Sequence, residues 1–216
     1  IYLTASGGPF VDFTEDQLRE VTPEQALRNP NWDMGSKVTI DSASMMNKGL
    51  EMIEAHHLFG VAPRDIDICV HRQSIVHSMV GFRDGAVKAQ LGLPDMRVPI
   101  AYALLFPHRL RSLTDLPTIE QLSSLTFERP RRDAFPCIDL AYRAIEEGGT
   151  SPCVLNAANE VAVRRFLRGD IRFTDIPELI SHCLDRMPQR NAVSLEMLEG
   201  CDTETRKLAE GWSPRH

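Results

Sequence analysis

The chain has 216 residues, 43% of them hydrophobic and 25% charged, with a formal net charge of -6. That is enough length and apolar content for one large or two modest domains with a real core. The acidic balance argues against a nucleic-acid-binding surface, which needs a concentrated basic patch.

No apolar run approaches the roughly 18 residues that a membrane span requires, and no basic-then-apolar leader is seen, so neither membrane nor nucleic acid is an expected partner. The five cysteines form no C-x-x-C pair. They read as reduced thiols of a cytoplasmic protein, none assigned to metal or catalysis. Ile1-Tyr2-Leu3-Thr4 reads as a strand already under way, so the chain is expected to be the C-terminal part of a longer protein. Neither G-x-G-x-x-G nor G-x-x-x-x-G-K-[ST] occurs, which puts any nucleotide domain upstream.

Ser6-Gly7-Gly8 follows the first strand, where glycines let backbone N–H groups approach an anion or simply turn the chain. Thr14 to Leu27 carries helical turns, with Pro23 at a first helical position after Thr22. Arg28 to Gly35 has Pro, Gly and two Asn and is expected to be irregular. Its Trp32 and Met34 suit either an anchor in a core or a loop that closes over a ligand and excludes water.

Met34 to Glu54 is the most informative stretch. Val38-Thr39-Ile40 has the β-branched composition of a short buried strand, and Asp41-Ser42-Ala43-Ser44 supplies residues that cap a helix. A helix from Ser44 places Ser44, Asn47, Lys48 and Glu51 at i, i+3, i+4 and i+7 on one stripe, with Met46, Leu50, Ile53 and Leu58 opposite. Serines at a helix start with a lysine one turn in make a phosphate seat. Glu51 lies about 6 Å beyond Asn47, which suits a carboxylate acting on the far end of a small phosphorylated substrate. The competing reading is a solvated Lys48–Glu51 ion pair worth only tenths of a kcal/mol.

Beyond Pro63, Ile66 to Val70 and His71 to Val80 read as strands, the second carrying His77, which by itself reads as a core histidine. Arg83-Asp84-Gly85 is a hairpin signal leading into Ala86 to Leu91. A helix follows near Val98 to Phe106. Residues 107–136 read mostly as a connector, with Arg129, Arg131 and Arg132 either solvated or partners for acidic groups elsewhere in the chain. Helices are then expected at Cys137 to Glu147 (capped by Gly148-Gly149), Val154 to Leu167, Asp175 to about Met187, and Ser194 to about Gly211, forming a small bundle. The Asn156-to-Glu160 run, polar and small, marks a close helix contact or a part of the site. The fold class is α+β: a part with a mixed sheet (1–107), a linker (108–132) and a four-helix bundle (133–216).

Ser6-Gly7-Gly8-Pro9-Phe10, Pro30-Asn31-Trp32 with Met34-Gly35, Asp41 to Glu51, Gln73 to Ser78, Pro94-Asp95-Met96-Arg97 and Leu155 to Glu160 together resemble the 1-deoxy-D-xylulose 5-phosphate reductoisomerase family. The resemblance covers nearly the whole chain. It implies an NADPH- and divalent-metal-dependent enzyme, with Mg²⁺ or Mn²⁺ or another divalent ion, that rearranges and reduces a phosphorylated ketose in non-mevalonate isoprenoid synthesis. It further implies a homodimer, and that residues 1–107 are the second part of an α/β catalytic domain. By the same resemblance Ser6, Asn29, Ser42, Asn47 and Lys48 bind substrate, Trp32 covers it, and Met34 and Gly35 face the nicotinamide. Glu51 is implied as both metal and substrate ligand, Lys48, Glu51 and His77 as catalytic or close to the reaction, and Glu54 as the next acidic position. The remaining metal carboxylates and the NADPH domain are implied upstream, so the chain alone should be inactive.

Two departures stand out. Asn29 replaces a histidine usual in the family, which removes a group able to carry charge beside the phosphate, and Arg72 replaces a proline. The rival readings are a metal-dependent sugar-phosphate aldolase or isomerase without reduction, and a non-catalytic phosphosugar-binding module.

Overall fold

The computed structural model describes residues 1–28, 35–111, 114–191 and 194–214. In chain order these form β1 (Tyr2–Ala5), α1 (Glu15–Arg19), α2 (Pro23–Ala26), α3 (Ser36–Ala43), α4 (Met46–Phe59), β2 (Asp67–Val70), β3 (Val76–Gly81), β4 (Val87–Leu91) and α5 (Arg97–Leu105). They continue with α6 (Ile119–Leu122), α7 (Cys137–Glu147), α8 (Ser151–Leu167), α9 (Asp175–Arg186) and α10 (Leu195–Glu210). The chain divides into two compact units, Ile1–Ser6 with Asp67–Arg129, and Gly7–Ile66 with Pro130–His216. This grouping crosses the boundaries that composition suggested at 107 and 132, because α3 and α4 bury their apolar faces with the later helices.

The first unit is built on a mixed sheet of order β2-β1-β3-β4. β1 runs parallel to β2, with Leu3 opposite Ile68, and antiparallel to β3, with Tyr2 opposite Met79. β3 and β4 form the expected hairpin, with Val80 opposite Lys88. β3 is shorter than its sequence implied, because the expected strand residue His71 is turned into the interior and fully buried. Its Nε2 accepts the Ile75 N–H at 3.2 Å, so its Nδ1 is the donor to the Thr126 carbonyl at 2.8 Å. Phe127 stacks on the ring with centroids 4.7 Å apart.

Part of the expected connector is therefore fixed. Glu128 pairs with Val70 as a strand bridge, and Gln73 bonds Ser124 and Thr126. Arg72 grips Glu128 through Nε and Nη2 at 3.0 and 3.3 Å, so the departure from proline adds a tie that proline lacks. Being half-exposed, this pair adds little to stability.

In the second unit, the Thr14 and Thr22 side chains close α1 and α2 with capping boxes, Thr14 with Gln17 and Thr22 with Gln25, each satisfying two end N–H groups. α7 to α10 occupy the spans expected of the bundle to within a few residues and pack on one another, with Phe166, Phe173 and Phe10 in edge contact. Arg131 is held inside the chain, donating to the Phe13 carbonyl at 2.7 Å, while Arg132 stays exposed and pairs with Asp139 at 3.1 Å. α4 lies against α7 so closely that a Cβ on Gly49 would sit 2.6 Å from the Ala141 Cβ.

Val38-Thr39-Ile40 belongs to a helix, not a strand. Thr39, Ile40 and Ala43 are buried while Val38 is 39% exposed, and helical spacing separates Val38 from Ile40, whereas a strand would put both on one face. Burial of that stripe overrides the β-branched preference. Leu58, expected opposite the polar stripe, is 75% exposed near the end of α4.

Candidate active site

Helix α4 begins at Met46, two residues later than its sequence suggests, because Met45 takes a left-handed conformation (φ 63°, ψ 6°) between α3 and α4. A non-glycine residue there costs about 1–2 kcal/mol, a strain usually found where backbone direction matters more than stability. The break lets the last turn of α3 and the first turn of α4 lie side by side.

Ser44 leaves the predicted stripe. It is buried, its Oγ donating to the Asp41 carbonyl at 3.3 Å and accepting the Met46 N–H at 3.4 Å. What remains is Asn47, Lys48 and Glu51. Asn47 Nδ2 donates to Glu51 Oε1 at 2.7 Å, and Lys48 Nζ to Glu51 Oε2 at 2.5 Å. The Lys48 side chain is only 12% exposed and that of Glu51 36%, so the pair is half-sunk into the surface and not the solvated ion pair of the competing reading. An amide, an ammonium and a carboxylate thus converge within one helical turn.

Ser42 sits in the final turn of α3 beside this group in sequence. Gly8 lies against the same backbone: a Cβ on it, with its φ of +71°, would stand 2.7 Å from the Ser42 carbonyl oxygen. Two helices thus bring Ser42, Asn47, Lys48 and Glu51 into one unit, whereas Ser6, at the end of β1, and His77 belong to the sheet unit. His77 is exposed on β3 and not a core histidine, its Nε2 3.1 Å from the Gly92 carbonyl. Gly35 is the N-cap of α3. Asn29, Trp32 and Met34 lie outside the described residues.

Immediately before Ser42 in the chain, Asp41 anchors a polar cluster that sequence reading did not assemble. Asp41, 1% exposed, meets Lys37 Nζ at 2.6 Å and accepts Asn159 Nδ2 of α8 at 2.9 Å. Asp41 looked like a turn residue in sequence, and only the polar Asn156-to-Glu160 run signalled its partner. Further along that run, Glu160 pairs with Arg206 at 2.6 Å.

Cys137, the first residue of α7, is fully buried close to Asp41 and Ser44. Burial, and after it the Asp41 charge, push its thiol up to about 12 from an ordinary 9.0. With the folded value raised, this stabilisation is complete below about pH 9 and is lost as pH climbs toward about 12. Urea unfolding across that window is expected to lose a few kcal/mol. Cys137→Ala should flatten the slope, and an unchanged slope would remove Cys137 as a cause.

Among the described residues, no group of three His, Cys, Asp or Glu side chains is disposed to hold a metal. Glu51 offers one hard oxygen donor of the type that magnesium or manganese takes.

Two family models match. One, described as the DXP reductoisomerase C-terminal domain, covers residues 91–208, and the other, the 1-deoxy-D-xylulose 5-phosphate reductoisomerase C-terminal domain, covers residues 1–59. The chain is 54% identical over its full length to the 1-deoxy-D-xylulose 5-phosphate reductoisomerase of Porphyromonas gingivalis, covering 56% of that protein. It is 51% identical over 97% of its length to the enzyme of Methylococcus capsulatus, covering 53% of it. Among solved structures it is similar to a DOX-P reductoisomerase in complex with NADPH, fosmidomycin and magnesium (TM-score 0.91, 43% identity, 97% of this chain and 53% of that one). It is also similar to the Zymomonas mobilis enzyme in complex with NADPH (TM-score 0.90, 42% identity, 97% and 54%). The chain spans about half the length of the curated relatives it matches. With a family model matched over more than half its residues and agreement in sequence and fold along its length, the chain belongs to the 1-deoxy-D-xylulose 5-phosphate reductoisomerase family.

Proposed function

We propose that the whole protein carrying this chain converts 1-deoxy-D-xylulose 5-phosphate to 2-C-methyl-D-erythritol 4-phosphate, by rearrangement and then reduction with NADPH, in the non-mevalonate route to isoprenoids. The observation that carries the reading is the half-buried Asn47–Lys48–Glu51 group on α4, in a chain of this family. Ser42, Asn47 and Lys48 hold the substrate phosphate and neighbouring hydroxyls, with Lys48 supplying the positive charge and Asn47 a directional donor. Ser6 and Asn29 are proposed to add to this binding, Asn29 through hydrogen bonds alone, and Trp32 to exclude water.

Glu51 is proposed as this chain's ligand for a divalent cation, the remaining ligands coming from elsewhere in the whole protein. When bound, such an ion polarises adjacent carbonyl and hydroxyl oxygens as a Lewis acid. Held at its phosphate end by the seat, the substrate keeps its reacting carbons in a fixed place, which converts binding energy into orientation. Met34 and Gly35 are proposed to face the nicotinamide and His77 to lie near the reacting end. The division into a partial catalytic domain (1–107), a linker (108–132) and a bundle (133–216) is proposed as the division of these roles.

A homodimer is proposed through the sheet unit. β4 is an edge strand exposed along its whole length, Phe82 and Val87 are exposed beside it, and no residue of α5 is buried, leaving Ile100, Leu104 and Phe106 uncovered. A cytoplasmic site fits five free thiols, and no helix among the described residues is long and apolar enough to cross a membrane.

The test is the whole protein with NADPH and Mg²⁺. Addition of 1-deoxy-D-xylulose 5-phosphate is expected to consume nicotinamide absorbance, and metal removal to stop it. Substrate turnover without cofactor oxidation would point instead to an isomerase or aldolase, and phosphate-sugar binding without turnover to a binding module.

A further inference from the structure

We propose that Asn159 is a positioning residue for the substrate seat, acting through Asp41; the proposal rests on the active-site reading above. Asp41 immediately precedes Ser42, and its backbone carbonyl accepts the Ser44 hydroxyl. Its carboxylate therefore sits at the root of the turn that sets both Ser42 and the left-handed step into α4. Packing of apolar side chains holds α3 against its neighbours but leaves its rotation about its own axis weakly defined, since dispersion contacts have little direction. A buried hydrogen bond to a charged acceptor fixes that rotation.

The bond from Asn159 Nδ2 to Asp41 Oδ1, at 2.9 Å, is such a restraint, and it reaches across 118 positions of sequence to α8. The other Asp41 oxygen is held by Lys37 on its own helix, which cannot fix α3 against anything else. Flanking Ala157 and Ala158 are fully buried, small enough to let α8 come close.

The amide that makes this bond is itself incompletely satisfied. Asn159 is fully buried, and its Oδ1 has no hydrogen-bond partner among the described residues. Buried polar atoms are normally satisfied, yet an apolar residue at 159 would leave the buried Asp41 Oδ1 without this donor, so the amide is kept for that bond. One amide atom is left unsatisfied where α8 holds Asp41, the residue ahead of Ser42. A local rule broken to keep such a restraint is typical of a site shaped by function.

The test uses the whole protein with Asn159→Leu, which removes the amide at similar volume, and Asn159→Ser, which keeps polarity but falls short of Asp41. Displacement of a binding group by ~1 Å costs up to about 100-fold, so KM for the phosphorylated ketose is expected to rise about 10- to 100-fold. KM for NADPH should stay near the wild-type value. Combining Asp41→Asn with Asn159→Asp rebuilds the bond with its roles reversed and should recover most of the lost substrate affinity. An unchanged substrate KM in a folded variant overturns the proposal. So does a fall in kcat with both KM values unchanged, the signature of lost active protein.

If Asn159→Leu does not fold, Asn159→Ser and the exchanged pair carry the same comparison. Wild-type protein without turnover would sink the functional reading separately. Calorimetry with inorganic phosphate then decides this one: binding weaker in Asn159→Ser than in wild type supports it, and equal or absent binding in both overturns it.

Discussion

Glu51→Gln in the whole protein is expected to lower turnover about 100- to 1000-fold, because with Glu51 as the proposed ligand of a Lewis-acidic ion the exchange removes several kcal/mol of transition-state stabilisation. The substitution keeps the size and reach of the side chain. One amide oxygen replaces the Oε1 that accepts Asn47, so that bond at 2.7 Å has a successor. The other end becomes an NH₂ facing the Lys48 ammonium, where a 2.5 Å charge-assisted bond stood. Stability should change little, because with Glu51 36% exposed the pair is worth at most about 1 kcal/mol. The expected signature is a normal melting curve, a steep rise in the Mg²⁺ concentration needed for half-maximal rate, and a low ceiling at saturation. A normal metal titration at a normal rate would take Glu51 out of the site.

Gly8→Ala is expected to act through the fold. The added Cβ would stand 2.7 Å from the Ser42 oxygen and 3.2 Å from the Ala43 Cα, both backbone atoms that cannot rotate away. A left-handed φ of +71° adds its own strain for any side chain. Together, left-handed strain and overpacking cost about 2–5 kcal/mol. Relief would come from shifting the end of α3, so surviving folded protein should also bind substrate more weakly. Denaturant unfolding and substrate KM measure the two effects. A variant within about 1 kcal/mol of wild type would mean that the turn yields without strain.

What sequence revealed and what it hid divide along one physical line. α7 ends where Gly148 ends it, with φ +70°, and the β3–β4 hairpin turns at Gly85, because these signals act within a few residues. Asn47, Lys48 and Glu51 were legible because helical spacing alone puts them together. Val38-Thr39-Ile40 was misread because its fate depends on distant helices that bury Thr39 and Ile40. Ser44 looked like a site residue, but its hydroxyl is spent on neighbouring backbone. His71 was taken for a strand residue, whereas a carbonyl 55 residues away holds its ring. Asp41 and Asn159 could not be paired in advance, since nothing local announces a bond across 118 positions.

The contact between Gly49 and Ala141 bears on how such a protein can change. Helix α4 carries Asn47, Lys48 and Glu51, the proposed site residues, and touches α7 almost backbone to backbone at Gly49. A bulkier residue at either position has no room unless the other shrinks, and Gly49 has nothing left to shed. The two positions are therefore locked as a pair, and the bundle cannot be exchanged for a foreign one as a module. Any graft of the later helices onto another catalytic half must bring a small residue at 141, or it will push the working face of α4 out of place.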